Sequence, residues 1–253
     1  LELVARTGVP LRVLSRALPH EEEELAGYLA GLADRYAAVT DVETEVVERD
    51  AIPDAILEGV VPGSLVCMSA HGRGGLSRDL MGSVADAVLR SLREPALVVG
   101  PHLAEGAAFV GRIVACFDGS EASSRTLVPA QRWSAALGLP LWLMEVGDPK
   151  SLPADWVTHG DVHETGHVAS LAARLGGVEG WDVLHDRDPA HALVDMAASP
   201  SRPTALLVMA THGRTGWDRL RLGSVTSATV HRATVPVLVV PAAPERVASP
   251  PTP

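Results

Sequence analysis

A block near the carboxyl end of this chain is a near copy of one in its first half. Met209-Ala-Thr-His212-Gly213-Arg214-Thr-Gly216 leads to Leu222-Gly223-Ser224-Val225-Thr226 and closes with Val235-Pro236-Val-Leu-Val-Val240. Met68-Ser-Ala-His71-Gly72-Arg73-Gly-Gly75 leads to Met81-Gly82-Ser83-Val84 and closes with Glu94-Pro95-Ala-Leu-Val-Val99. At a constant offset of 141, the 33 positions from Met68 to Gly100 hold 14 identities without a gap. Repetition at such a period means that one supersecondary unit has been used twice, which constrains the fold more than any property of composition. In each copy an apolar strand empties into a glycine loop and then a helix start, the arrangement in which backbone amides face an anion.

The second half carries the fuller alternation. Arg112 to Phe117 reads as a buried strand ending at Asp118-Gly119-Ser120, and Glu121 to Leu137 has helical periodicity closed by Gly138. There follow a strand over Pro140 to Val146, a helix over Asp161 to Leu175 and a strand over Trp181 to His185. A helix over Pro189 to Ala198, with proline in its first turn, precedes a strand over Thr204 to Ala210. A helix over Ser224 to Arg232 and a strand over Val235 to Val240 complete the unit. Parallel strands need crossover connections of this length, so the pattern predicts an α/β fold with helices on both faces of a parallel sheet.

The first half keeps the same order but starts late. Gly8 to Leu14 aligns with Gly138 to Met144, and nothing corresponds to Arg112 to Ser120. By comparison with the second half, about 25 to 30 further residues carrying a first strand are expected upstream of Leu1. The expected organisation is a first unit over residues 1–101, a linker over 102–111, a second unit over 112–242 and a disordered tail over 243–253. Residues 147–160 form a long loop, open to reading as a lid or as a solvated connection. Glu21 to Glu24 suit a helix amino terminus through the dipole.

With 253 residues, 47% of them hydrophobic, the chain can bury two cores. Its net charge of −10 offers no basic field for a nucleic-acid backbone. No apolar run reaches the roughly 20 residues that span a bilayer, and no basic segment leads an apolar stretch at the amino end. A cytoplasmic location is expected, with neither nucleic acid nor membrane as a partner. Cys67 and Cys116 lie in apolar strand patterns and are expected to be buried free thiols. Lys150 is the single lysine, against 20 arginines. That removes a Walker phosphate loop, which needs Gly-Lys-Ser/Thr, and leaves Schiff-base chemistry only the lysine of a surface turn. Any phosphate must be held by backbone amides, hydroxyls and arginine.

In an open sheet of order 3-2-1-4-5, ligands collect outside the carboxyl ends of strands 1 and 4, here between Asp118 and the stretch from Ala210 to Leu222. Glycines 213 and 223 let backbone approach a ligand, and the helix after Gly223 offers free amides contributing about 0.3–1 kcal/mol per exposed unit charge. Ser224 and Thr226 add hydroxyl donors. Asp118 would repel phosphate and suits a ribose or a base. The competing reading is that Gly213, Gly216 and Gly223 only shape a tight connection; the double occurrence, each time with a histidine before the loop glycine and Gly-Ser at the helix start, favours a ligand. His71 and His212 follow buried strands and read as loop anchors rather than bases, since no carboxylate pair or nucleophile accompanies them. Arg73 and Arg214 either reach an outer phosphate or are solvated. His163 and His167 share a helical face, but no third ordered ligand accompanies them, and no metal site is expected.

The spacing Gly-x-x-Gly, nine residues, Gly-Ser/Thr resembles the signature of the universal stress protein family. The second copy runs Ala210-Thr-His-Gly213, nine residues, Gly223-Ser224, and the first runs Ser69-Ala-His-Gly72, nine residues, Gly82-Ser83. The Asp118-Gly-Ser120 turn, the Glu145-Val146 strand end and the final apolar strand are similar to that family as well. The resemblance implies two tandem doubly wound parallel five-stranded sheets of order 3-2-1-4-5, the first lacking its opening strand. It implies, in one branch, ATP with magnesium as its companion ion. By motif position Asp118, Val146 and Met209 border the adenosine, with Ala210 beside the ribose, and Gly213, Gly223, Ser224, Val225 and Thr226 hold ribose and phosphates. The matching positions in the first copy are Met68, Ser69, Gly72, Gly82, Ser83 and Val84. Both copies depart at the first glycine, as Ala210 and Ser69, and Ala85 stands where the second copy has Thr226, so the second site is the better equipped. The expected function is that of an ATP-binding, nucleotide-responsive regulator with at most slow hydrolysis. Two alternatives stay open: an interaction protein whose loops are only structural, and an adenylate-handling hydrolase or transferase, for which the usual lysine or Ser-Gly-Gly-x-Asp loop is missing. Final strands of the family pair between subunits, which implies an internal pseudo-dimer of the two halves, with homodimerisation open beside it.

Overall fold

The computed structural model describes residues 3, 9–16, 22–47, 52–71, 81–103, 108–147, 164–211 and 222–241. The first half supplies β1 (Leu11–Arg16), α1 (Glu22–Tyr36), β2 (Val42–Val47), α2 (Ile52–Glu58), β3 (Val66–Ser69), α3 (Ser83–Ser91) and β4 (Ala96–Val99). The second supplies β5 (Arg112–Phe117), α4 (Glu121–Ser124), α5 (Leu127–Leu137), β6 (Leu141–Gly147), α6 (Glu164–Leu175), β7 (Val178–His185), α7 (Pro189–Ala197), β8 (Thr204–Ala210), α8 (Ser224–Arg232) and β9 (Val237–Val240).

The strands of the second half stand as β7-β6-β5-β8-β9, all parallel, which is the order 3-2-1-4-5. All six residues of β5 and all seven of β8 are buried, as a parallel strand covered on both faces requires. Beyond β9 the sheet continues into the first half. β4 lies antiparallel to β9, pairing Ala96 with Val239, Leu97 with Leu238 and Val98 with Val237, and β3 pairs parallel with β4. One seven-stranded sheet therefore crosses both halves, and β1 with β2 makes a separate parallel pair. In the second half β5 joins the corresponding two pairs of strands; the first half has no described counterpart of β5.

Alternate side chains of the sheet feed two cores. Ile113, Ala115, Leu143, Leu206 and Val208 pack on one face with Trp133 and Leu137 of α5 and Val168 of α6. Val114, Cys116, Met144, Leu207 and Met209 pack on the other with Leu193 of α7, Val230 of α8, and Val88 and Leu89 of α3. The second core thus draws on both halves of the chain. Each fully buried Leu or Val side chain contributes on the order of 1.5–3 kcal/mol by leaving water.

Several boundaries differ from expectation for local reasons. The helix expected over Glu121 to Leu137 is two, α4 and α5, because Pro129 has no N–H for the Arg125 carbonyl and its ring crowds that group. The amides of Arg125 and Thr126 turn instead to the carbonyls three residues back, at 3.2 and 3.1 Å. The third strand begins at Val178, not Trp181, directly after Gly176 and Gly177 at φ +64° and +67°. The last strand begins at Val237, since Pro236 cannot donate, although its carbonyl accepts from Leu207 N at 3.1 Å. Helix α6 begins at Glu164, and residues 161–163 lie outside the described residues, as do 104–107, 148–160 and the tail from 242. Phe109, in the expected linker, packs in the first core. Cys116 is a buried free thiol, its pKa pushed up to about 12 by burial. Cys67 is free but exposed, a correction: β3 is the edge strand of the sheet, and its burial alternates so that Cys67 and Ser69 face outward.

Candidate functional site

Strands β5 and β8 are parallel neighbours whose following helices go to opposite faces. Helix α5 packs on the first core through Ala130 and Trp133, and α8 on the second through Val230. The crevice at their carboxyl ends is therefore the topological switch point of the sheet, where ligands of such folds collect.

On the β5 side, Asp118 is half-buried and its position is fixed by a turn. Asp118 Oδ1 accepts from Ser120 N at 3.0 Å, and Asp118 N donates to Ser123 Oγ at 3.3 Å. Ser120 is the N-cap of α4, its Oγ accepting from Ser123 N at 3.1 Å. Ser123 Oγ in turn donates to the Ser120 carbonyl at 2.9 Å, so a closed serine network orients the carboxylate. Ser123 was not singled out by motif; the Ser-x-x-Ser capping pattern was the available signal. Val146, the penultimate residue of β6, is half-buried on the strand beside β5.

On the β8 side, Met209 and Ala210 are buried at the strand end. Thr211 N donates to the Val240 carbonyl at 2.9 Å, and the Thr211 carbonyl accepts from Gly223 N at 2.6 Å. The first copy repeats this geometry: Ala70 N to the Val99 carbonyl at 2.8 Å, and Gly82 N to the Ala70 carbonyl at 2.8 Å. Each glycine loop is thus closed at its base by the same backbone hydrogen bond. Gly72, Arg73, His212, Gly213, Arg214 and Gly216 fall within those loops, outside the described residues.

Gly223 caps α8 at φ −54°, ψ 143°, and Gly82 caps α3 at φ −60°, ψ 145°. Any residue adopts these angles, so glycine serves here by lacking a side chain. Neither helix has a side-chain cap, and intrahelical bonding begins with Ser227 N to the Gly223 carbonyl and Asp86 N to the Gly82 carbonyl, both at 2.9 Å. The amides of Ser224, Val225 and Thr226, like those of Ser83, Val84 and Ala85, remain for an external acceptor. Ser224 and Ser83 are exposed, and Val225 and Val84 half-buried.

Two expected site residues take different positions. Thr226 is buried and its Oγ1 donates to the Ala210 carbonyl at 2.7 Å, so its proton ties α8 to β8 rather than facing outward. Ser69 Oγ donates to the His71 carbonyl at 2.7 Å, while Met68 is half-buried at the end of β3. His71 lies against His231 of α8, with ring centroids 4.7 Å apart, and neither of its ring nitrogens has a hydrogen-bond partner among the described residues. That contact holds the first loop's base to the other half of the chain. Among the described residues no group of three His, Cys, Asp or Glu could hold a metal ion, and no helix is long and apolar enough to cross a membrane.

The family model described as "Universal stress protein family" matches residues 4–100 and again 110–241. A universal stress protein of Mycolicibacterium smegmatis is 30% identical over 212 residues, covering 79% of this chain and 68% of that protein. One of Mycobacterium tuberculosis H37Rv is 29% identical over 216 residues, covering 78% and 68%. The crystal structure of a universal stress protein from Archaeoglobus fulgidus superposes with a TM-score of 0.68 at 17% identity, covering 95% of this chain and 94% of that one. A functionally unknown protein from Pseudomonas aeruginosa PAO1 superposes equally well, with a TM-score of 0.68 at 15% identity over 95% and 85% of the two chains.

Proposed function

The chain belongs to the universal stress protein family, as two tandem copies of its domain, and from that premise we propose that it binds ATP and acts as a nucleotide-responsive regulator with at most slow hydrolysis. The observation that carries this reading is the helix start at Gly223: uncapped amides, no side chain in the way, at the switch point of the sheet and across from a fixed carboxylate. The donor set fits a nucleotide. Amides of Ser224 and Val225 suit phosphate oxygens, Asp118 suits ribose or base hydrogens, and Val146 and Met209 offer apolar surface to an adenine. Arg214 is proposed to reach the outer phosphate, and magnesium to accompany the polyphosphate as its counter-charge. The first copy, with Gly82, Ser83 and Val84 in the same geometry, is proposed as the weaker site. We place the protein in the cytoplasm, with homodimerisation through surfaces outside the shared sheet.

The test is to denature purified protein and assay released adenine nucleotide, then titrate the stripped protein with ATP by calorimetry. Gly223→Val puts a branched side chain before the amides and is expected to abolish binding at the second site. Equal affinity in that variant would refute the site. No binding by the wild type would favour the interaction protein, a reading that the replacement of the first motif glycine by Ala210 and Ser69 supports. Rapid phosphate release would favour the enzyme.

A further inference from the structure

A groove of about 440 Å³ lies between the edge strand β7 and helix α7, and none of its described walls comes from α8 or α3. Arg112, Asp182, Leu184, Asp195, Met196 and Arg202 line it. Arg112 opens β5 and is only 6% exposed. Its guanidinium sits 4.6 Å from the centre of the Trp142 indole, and that of Arg202 sits 5.4 Å from the same ring. The indole lies against the backbone of Gly180, where a Cβ would come within 2.6 Å of the ring, so the ring behind the guanidinium is fixed.

A guanidinium buried to this degree is normally paired with a carboxylate. Arg112 has no such pair among the described residues. Its Nη2 donates to Met196 Sδ at 3.3 Å, a weak acceptor, and its Nε has no partner. The three described acids of the groove have other neighbours: Asp182 lies 3.9 Å from Arg202, and Asp186 and Asp195 lie 3.6 and 3.5 Å from His191. Burial, and then the neighbouring Arg202, press the Arg112 pKa down against the opposing field of Asp182, yet a guanidinium stays protonated in proteins. The groove therefore holds a largely buried positive charge, one of whose donors is unmet, stacked on an indole. The repeated unit does not require this: Arg12 takes the place of Trp142 in the first half and is paired with Glu45.

We propose that the groove binds a small organic carboxylate, its charged group on Arg112 and its apolar body against Leu184 and Met196. A guanidinium fork matches a carboxylate in two parallel hydrogen bonds. Asp182, Asp186 and Asp195 repel a dianion such as phosphate more than a monoanion, which sets the class. The site does not overlap the crevice at the carboxyl ends of β5 and β8, and it stands whether or not that crevice takes ATP.

The test is calorimetric titration of the full chain with sodium benzoate and sodium butyrate, with benzamide and inorganic phosphate as parallel arms. Saturable binding of at least one carboxylate is expected, with neither control binding. Arg112→Gln is expected to weaken it about 10- to 100-fold. Ala192→Phe, which fills the groove from α7 and leaves both arginines, is the second variant and is expected to abolish binding whether or not Arg112→Gln folds. No saturable binding of either carboxylate by the wild type, a preference for phosphate or benzamide, or unchanged affinity in Ala192→Phe would each overturn the proposal.

Discussion

At Thr226 the side chain works inward. Its hydroxyl donates to the Ala210 carbonyl from a buried position, so Thr226→Val, which keeps the shape and removes the donor, is expected to destabilise the protein by about 1–2 kcal/mol in urea unfolding while changing ATP affinity little. Ser120→Ala removes the cap of α4 and loosens the turn that fixes Asp118. A loss of about 1 kcal/mol in the same assay is expected, together with weaker ATP binding in calorimetry. Residues such as Gly223 and Gly82 were legible in the sequence because their spacing is repeated. Others were not, because their state depends on distant partners. Arg112 looks like an ordinary strand-leading arginine, and only Trp142 and Arg202, brought together by the sheet, reveal that it is buried. Cys67 sits in an apolar run, but which of its faces is covered is decided by what lies beside β3.

Helices α7 and α8 are tied at their ends by Asp188, which caps α7 and accepts from Arg232 Nη1 at 2.8 Å. The Arg232 hydrogen bond, followed by the His191 backbone amide, holds the Asp188 carboxyl below the usual range. A depressed folded pKa means that the tie is intact above the unfolded value, about pH 4, and is lost as pH falls through the lower folded value. Asp188→Asn keeps a capping oxygen and is expected to flatten the fall of stability below about pH 4 in acid titrations followed by circular dichroism. Gly100, just past β4, faces the Val230 carbonyl of α8 so closely that a Cβ would collide with it. Gly100→Ala is expected to cost about 1–3 kcal/mol in thermal unfolding by forcing β4 and α8 apart. Element order was readable from the alternation of apolar strands and helical periods. Boundaries were less so: the break at Arg125–Thr126 follows from the amide that Pro129 lacks, and the start of β7 from two left-handed glycines that periodicity passes over.

Across the whole molecule, β9 is an interior strand only because β4 covers it. A fragment of residues 108–241 would expose that edge together with the apolar surface that Val88 and Leu89 cover. It is expected to self-associate, with sedimentation showing dimers or larger species where the full chain shows none through this edge. Val239→Pro in the full chain removes a ladder amide from this interior strand, and a loss of about 3 kcal/mol or more is expected in thermal unfolding. The doubling of the unit was plain in the sequence, and the splitting of the first unit into β1–β2 and β3–β4 follows from its lacking a described counterpart of β5.

The antiparallel junction of β4 and β9 has a further consequence. The strands of the two halves run in opposite directions through one sheet, so the loop bases at Gly82 and Gly223 lie at opposite ends of it. The two proposed nucleotide sites therefore face away from each other along the strand direction.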